Sequence, residues 1–152
     1  MTLRAGTVIE AVATCVEAIA VTTDAGAPAR FHESIVDASD DTAQDRSFWV
    51  EFASIATTSS TGASGKADRV LRFRVRVRYR NERRKSTAFA ALAMQDACRI
   101  QDRVPVYLRA LGSGSSGAEE DGEASLDRDA EAGIYNLTVP FKVEIHDDRV
   151  TS

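Results

Sequence analysis

The sequence predicts an α+β protein, a two-layer sandwich with two helices packed on one face of a three- to four-stranded, mainly antiparallel sheet. Apolar residues recur every three to four positions in segments 7–20 and 87–103, which is the period of a helix. They alternate with other residues in segments 47–55, 69–81 and 134–146, which is the period of a strand. With 152 residues, we expect one α+β domain spanning 1–152.

The two helices have recognisable ends. In the first segment, TVIEAVATCVEAIA (7–20), Thr7 is followed by Glu10 at the spacing of a capping box, so we expect the helix to begin there. The second helix covers about 87–103. Pro105 is expected to end it, or to leave the following residues VPVYL irregular.

Three strands follow from alternation, and a fourth is less clear. The segment SFWVEFASI (47–55) has two largely apolar faces, whereas IYNLTVPFKVEIH (134–146) has one apolar and one polar face. Pro140 lacks a backbone N–H donor, which favours an edge position or a bulge for that last strand. The segment RFHESIVD (30–37) is an uncertain short strand, followed by a polar loop.

Two segments have the composition of flexible loops. TTSSTGASGKAD (57–68) is small and polar, and it is long for a hairpin connection, so we expect a working surface there. Residues 112–133 are rich in Gly, Ser and acidic side chains without apolar periodicity, which is typical of a mobile acidic loop or of an insertion that becomes ordered only on binding.

The segment RVLRFRVRVRYRN (69–81) carries the most unusual pattern. Side chains two apart in a strand project to the same side, about 7 Å from one another. Five arginines therefore share one face, and apolar residues occupy the other. These arginines are Arg72, Arg74, Arg76, Arg78 and Arg80.

Three interpretations of this arginine row remain open. Neighbouring strands can supply carboxylates on the same face, such as Glu51 and Glu144. Alternatively, the row is a subunit interface that meets the acidic blocks 37–45 and 119–131 of a neighbouring copy. The third interpretation is phosphate binding, against which stand a pI near 5.2 and the expectation that no aromatic side chains are interleaved on the arginine face.

Charge is strongly segregated along the chain. The net charge is −6 over residues 1–65, +9 over 66–109 and −7 over 110–152. Segments of opposite net charge can form surfaces that attract one another, either within one subunit or between two copies. The acidic partner candidates are Asp40, Asp41, Glu119, Glu120 and Asp121.

The sequence has no recognisable catalytic or cofactor motif, and we expect no enzymatic activity, cofactor or metal. Cys15 and Cys98 fall on apolar helix positions and are expected to be small buried hydrophobes. His32 and His146 lie far apart. The apolar stretches are too short to span a bilayer and no signal peptide precedes the first helix, so we expect cytoplasmic origin and no membrane contact.

The order helix, strand, long-looped hairpin, helix, strand resembles the tail terminator proteins of long-tailed bacteriophages and the related tail-completion and minor tail proteins. The resemblance rests on five segments: TVIEAVATCVEAIA, FWVEF, VLRFRVRVRY, FAALAMQDACRI and IYNLTVPFKVEI.

The resemblance implies a structural role in the virion tail or neck, with assembly in the host cytoplasm. Such proteins form a ring, commonly of six subunits, that caps the tail tube, joins it to the head–tail connector or stopper protein and lets DNA pass. The loops at 57–68 and 112–133 would then reach toward the tube, the connector or the adjacent subunit. Two alternatives stay open: a nucleic-acid-binding or regulatory module that uses the arginine row, and an enzyme whose site forms only between subunits.

Overall fold

The computed structural model describes residues 5–23, 25–34, 45–61, 66–80, 85–111, 115–129 and 133–148. The fold is α+β, with two helices and a mixed sheet. The helices are α1 (Ala5–Ala18) and α2 (Ser86–Ala110). The strands are β1 (Ala20–Thr22), β2 (Pro28–Arg30), β3 (His32–Glu33), β4 (Ser47–Thr61), β5 (Lys66–Arg80), β6 (Ser115–Glu120), β7 (Ser125–Asp129) and β8 (Ile134–Asp148).

The main sheet is built on three antiparallel strands of 15 residues each, in the order β4–β5–β8. Short β3 runs parallel to β4 at one edge, and β6 and β7 both pair with β8 at the other. Strands β1 and β2 form a separate antiparallel pair. The prediction of three to four strands is therefore wrong, because the described part of the main sheet contains six.

The segment 57–68, predicted as a flexible loop, mostly continues the two long strands. Thr57 pairs with Arg69 and Thr61 pairs with Lys66, with a register shift between Thr57 and Ser59. This part of the hairpin is held by its backbone ladder rather than by apolar side chains, so alternation does not reveal it. Residues 62–65 lie outside the described part of the chain.

The second predicted loop, 112–133, contains β6 and β7. Glu119 pairs with Lys142, and Leu126 pairs with Leu137. Both strands obtain their order from the long neighbouring strand β8, which supplies backbone partners that a composition argument does not count. Residues 112–114 and 130–132 lie outside the described residues.

Pro140 lies in an interior strand, so its predicted edge position is wrong. It is paired with Arg74 of β5 on one side. On the other side it lies between the last β6 partner, Phe141, and the first β7 partner, Thr138. Its carbonyl accepts the N–H of Asp121 at 3.0 Å. The N–H and C=O groups of one strand residue point to the same side of the strand. The N–H group that Pro140 lacks would therefore point toward the interruption between β6 and β7, where no ladder partner is required.

Both helices differ from their predicted bounds. Helix α1 includes Ala5, so Thr7 lies inside it rather than at its start, and the chain enters β1 at Ala20. Helix α2 continues past Pro105 to Ala110. The proline removes one helical hydrogen bond, but Val104 and Leu108 on either side of it are fully buried, and that burial favours a continuous helix.

The core combines buried side chains of both helices with one row of side chains from the sheet. On β5 the buried row is Leu71, Phe73, Val75, Val77 and Tyr79, and on β8 it is Leu137, Val139, Phe141, Val143 and Ile145. Phe73 stacks on Phe141 with ring centroids 5.5 Å apart. Helix α1 adds Val8, Val12 and Val16, and helix α2 adds Phe89, Ile100, Val104 and Leu108. The alternating pattern of β5 therefore separates core side chains from arginines.

A buried polar cluster joins α2 to the sheet. Arg46, just before β4, is 4% exposed, and Asp96 of α2 is 0% exposed. The guanidinium of Arg46 forms a two-point ion pair with the Asp96 carboxylate, Nε–Oδ2 2.9 Å and Nη2–Oδ1 3.0 Å. The Tyr79 hydroxyl donates to Oδ2 at 2.7 Å, and Arg46 Nη1 also donates to the Thr22 carbonyl. Together they link β1, β4, β5 and α2.

The surroundings of this cluster keep it in one arrangement. Burial, reinforced by the Asp96 carboxylate, raises the pKa of Tyr79 well above its ordinary value, so the hydroxyl remains a donor. Arg46 has a left-handed backbone, φ 60°, which costs a non-glycine residue about 1–2 kcal/mol. Its carbonyl accepts the N–H of His32 at 3.1 Å. The ion pair and this hydrogen bond offset the backbone cost.

Removing the Asp96 carboxylate should therefore destabilise the fold strongly. Asp96→Ala leaves the Arg46 guanidinium buried without its partner, and we expect a loss of about 3–5 kcal/mol in the free energy of unfolding. Tyr79→Phe is the matched control, because it removes one hydrogen bond and keeps the ion pair, at about 1–2 kcal/mol. Urea unfolding followed by circular dichroism measures both. Equal losses in the two variants would contradict a dominant role for the ion pair.

Candidate functional site

The arginine row of β5 forms one polar surface together with the adjoining residues of β4 and β8. We call this surface the arginine face: Arg72, Arg74, Arg76, Arg78 and Arg80, with Trp49 and Glu51 of β4. The strand register places Trp49 beside Arg76 and Glu51 beside Arg74. The five arginine side chains are exposed or half-buried, whereas the apolar residues between them are buried.

Carboxylates of the same chain neutralise much of this face. Glu51 bridges two arginines, with its oxygens 2.9 Å from Arg74 Nη1 and 3.0 Å from Arg76 Nη1. Asp121 lies 3.3 Å from Arg72 Nε. Hydrogen bonds from Arg76, and secondarily from Arg74, lower the pKa of Glu51 against the opposing effect of burial. The structure thus shows pairing by neighbouring elements of one chain, the first of the three interpretations.

An aromatic ring also lies on the arginine face. The guanidinium carbons of Arg76 and Arg78 are 5.5 and 5.2 Å from the centroid of the Trp49 ring, within the range of cation–π contacts. The expectation that this face lacks interleaved aromatics is therefore wrong. The available signal was the alternation of β4, which puts Trp49 and Glu51 on the same side of the strand.

The acidic partner candidates that the structure describes have different surroundings. Asp121 meets Arg72, whereas Glu119 lies 3.8 Å from Lys142. Glu120 is exposed. Asp40 and Asp41 lie outside the described residues. At Arg80, the last arginine of the row, the backbone N–H donates to the Asp45 carboxylate at 2.9 Å, so one residue of the acidic block 37–45 meets the row within the same chain.

A second cationic feature lies between α1 and α2, and sequence reasoning missed it. We call it the cationic groove: a cavity of about 490 Å³ lined by Arg30, Arg99 and Arg103 together with Cys15, Ile19, Val106 and Tyr107. Its lining within the described residues includes no carboxylate. Arg99 Nη1 is buried without a hydrogen-bond partner. The signal in the sequence was the four-residue spacing of Arg99 and Arg103, which puts both on one side of the helix.

Among the described residues, the outer half of β4 forms an edge of the main sheet. Strand β3 pairs only with Ser47 and Phe48, so within the described residues the remainder of β4 is paired on its β5 side alone. Phe52 is 55% exposed and Ile55 is 42% exposed. Phe48 is buried as alternation predicts, whereas Phe52, four residues further along β4, is exposed.

The cysteines and possible ligands show no additional site. Cys15 is buried, and burial raises the pKa of its thiol despite the opposing charge of Arg103. Cys98 is exposed, so the expectation that both cysteines are buried is wrong for it. In the described part of the chain, no three side chains of the metal-binding types cluster together. Neither described helix is long and apolar enough to cross a bilayer.

No protein-family model matches the chain, and no curated protein matches it. Its function has to be inferred from the placement of its own residues.

The two ion pairs of Glu51 should stabilise the protein in a pH-dependent way. Glu51→Gln removes the charge at nearly constant shape, and we expect a loss of about 0.2–1 kcal/mol per pair at neutral pH. Because the folded pKa of Glu51 is lowered, its contribution is complete above the unfolded pKa and is lost as pH falls through the folded pKa. Chemical unfolding between neutral pH and pH values below about 4 should therefore show the two proteins converging in stability. A constant difference across that range would contradict the assignment.

Proposed function

We propose that this chain is a virion structural protein, a tail terminator-like subunit of a long-tailed bacteriophage. In this proposal it forms a homo-oligomeric ring of about six copies that caps the tail tube, contacts the head–tail connector or stopper protein and lets DNA pass. It acts by docking, without enzymatic activity or a cofactor, and it resides in the tail or neck after assembly in the host cytoplasm.

The exposed edge of β4 is the observation that carries this proposal. An open strand edge with large apolar side chains invites pairing with another chain, and monomeric proteins usually cover or charge such edges. Phe52 and Ile55 lie on this edge with about half of their surface in solvent. A subunit that works inside an assembly has a physical reason to keep such an edge, because a neighbour covers it.

The arrangement of elements also supports the proposal. The order α1, β4–β5, α2, β8 is the order on which the resemblance to tail terminator proteins rests. The finer architecture, a two-layer sandwich with both helices on one face, belongs to the same proposal. It is supported by the core that both helices share with the apolar rows of β5 and β8, opposite the arginines.

The surfaces assigned to partners follow from exposure and charge. The end of the β4–β5 hairpin and the β6–β7 region are proposed to reach the tube, the connector or the adjacent subunit, as the resemblance implies. The arginine face has a smaller part in subunit contacts, because Glu51 and Asp121 already pair with Arg72, Arg74 and Arg76. A carboxylate of another copy would add little binding free energy at an arginine that already has an ion-pair partner.

Self-association tests the ring. Sedimentation velocity over a wide concentration range and negative-stain imaging of the purified protein should show a closed ring of several copies. The double variant Phe52→Ser/Ile55→Ser should weaken this assembly, because it removes exposed apolar area from the β4 edge. Leu111→Ser changes an exposed apolar residue at the end of α2 and is the control. A wild-type protein that stays monomeric at every concentration would contradict the proposal.

A nucleic-acid-binding or regulatory module is the second candidate, and Trp49 is the observation that favours it. Proteins that bind single-stranded nucleic acids stack the bases on aromatic rings and contact the phosphates with nearby cationic side chains. Arg76 and Arg78 both lie against this ring. The negative charge of Glu51 next to Arg76 reduces the attraction for phosphate.

Binding to a labelled oligothymidine tests this second candidate. We expect the logarithm of the affinity to fall linearly with the logarithm of salt concentration, since phosphate contacts release counterions. Trp49→Ala and Arg78→Glu should each weaken binding, whereas Arg109→Glu, an exposed change on α2, should change it little. Absence of binding at low salt, or equal effects of all three substitutions, would exclude the arginine face as a specific nucleic-acid site.

A further inference from the structure

We infer that the cationic groove between α1 and α2 receives the β6–β7 turn of a second copy of this chain. The β6–β7 turn is defined here as residues 120–126. This inference rests on the proposed function as a ring, and it names two surfaces that contribute to the contact between neighbouring copies in addition to the β4 edge.

The groove needs an anionic occupant. It brings together the guanidinium groups of Arg30, Arg99 and Arg103, and its described lining supplies no carboxylate to them. Arg99 Nη1 is buried with no hydrogen-bond partner, and an unpaired buried donor costs free energy. Guanidinium groups pair most strongly with carboxylates, because two N–H groups can donate to two oxygens in parallel.

The groove also has an apolar part. Val106 is 60% exposed on its wall, next to Ile19 and Tyr107. A small inorganic anion would leave this apolar surface in water. A peptide segment that carries both carboxylates and an apolar side chain covers both parts.

The β6–β7 turn has this composition. Glu120 and Glu123 are exposed, and neither forms an ion pair with any other described residue. Leu126 is 39% exposed at the end of the turn. β6 and β7 follow one another in the same direction along β8, and the residues between them, including Gly122 with φ +104°, interrupt this edge of the sheet.

The turn and the groove lie on opposite sides of α2. Arg99, Arg103 and Val106 line the groove, whereas Met94 and Gln101 line a separate cavity of about 570 Å³ beside the turn. In a helix of 3.6 residues per turn, Met94 and Gln101 lie on the side of the helix opposite to the three groove residues. A copy therefore does not bury its turn in its own groove, because α2 stands between them.

Two unlike and complementary surfaces on opposite sides of one subunit produce a head-to-tail contact. When the rotation between copies closes, such contacts form a ring. The charge blocks of the sequence fit this arrangement in part: two of the three arginines of the groove, Arg99 and Arg103, belong to the basic block 66–109, and the turn belongs to the acidic block 110–152. The arginine face, which is already paired within the chain, is not required for this contact.

Charge reversal with rescue tests the contact. Arg103→Glu and Glu123→Arg each place like charges together, and we expect each to weaken self-association at least about tenfold in sedimentation velocity. The double variant Arg103→Glu/Glu123→Arg should regain assembly, because the reversed groove and the reversed turn attract again. Arg109→Glu and Glu10→Arg, exposed residues outside both surfaces, are the matched controls and should assemble like the wild type.

A cross-link checks the same contact without changing the charge of the groove. In a Cys15→Ala/Cys98→Ser background, copies with Ala110→Cys on the groove are mixed with copies with Glu123→Cys on the turn. Mild oxidation should yield a disulfide-linked pair containing one copy of each. Replacing Ala110→Cys with Ala88→Cys, which lies away from the groove on the same helix, should abolish that product.

The outcomes separate this inference from the proposed function. A wild type that assembles, together with single reversals that assemble equally well, would overturn the inference and leave the ring intact. Single reversals that fail without rescue in the double variant, or a cross-link no stronger than that of the Ala88→Cys control, would also overturn the inference. A wild type that remains monomeric would overturn the proposed function as well.

Discussion

The buried ion pair between Arg46 and Asp96 is the interaction on which the rest of the structure depends. The two residues are 50 positions apart in the chain, and both are almost fully removed from water. Such a pair stabilises a fold only when each charge has its partner and its remaining hydrogen bonds, because a lone buried charge is very costly. The Tyr79 hydroxyl and the Thr22 carbonyl complete these bonds, so that the cluster favours one arrangement of α2 on the sheet.

The position of α2 then decides which charges remain available to a partner. With Asp96 directed into the core, Arg99 and Arg103 lie on the side of the helix that faces α1. The opposite side, with Met94, lies beside the β6–β7 turn. The same buried contact therefore presents a basic surface and an acidic surface in different directions, which is the property that a ring subunit requires.

The two groups of arginines differ because strands and helices offer different neighbours. In the sheet, adjacent strands lie about 4.8 Å apart, so the register places a side chain of the same face next to each arginine. Glu51 and Trp49 fill such positions beside Arg74 and Arg76. On a helix the neighbours of a side chain are residues three or four positions away, and the described lining of the groove around Arg99 and Arg103 contains no carboxylate. The more conspicuous pattern in the sequence is thus the less available surface.

Sequence reasoning succeeded where burial produces periodicity. The buried rows of β5 and β8, Phe48 of β4 and the buried stripes of both helices follow from apolar spacing, because each of these side chains faces either the core or the solvent. It failed for β6, β7 and the end of the β4–β5 hairpin, whose order comes from backbone hydrogen bonds to long neighbouring strands. It also failed at Pro105, where burial of Val104 and Leu108 outweighs the lost helical bond.

By itself, the sequence determined the α+β class, the apolar row of β5 and the fact that five arginines share one side of that strand. These are local properties, set by the two-residue repeat of an extended backbone. Only the tertiary structure decided that Glu51 and Asp121 meet those arginines, that Asp96 holds Arg46, and that Arg99 and Arg103 line an open groove. Such contacts join distant segments, and their geometry depends on strand register and helix orientation, which no local repeat encodes.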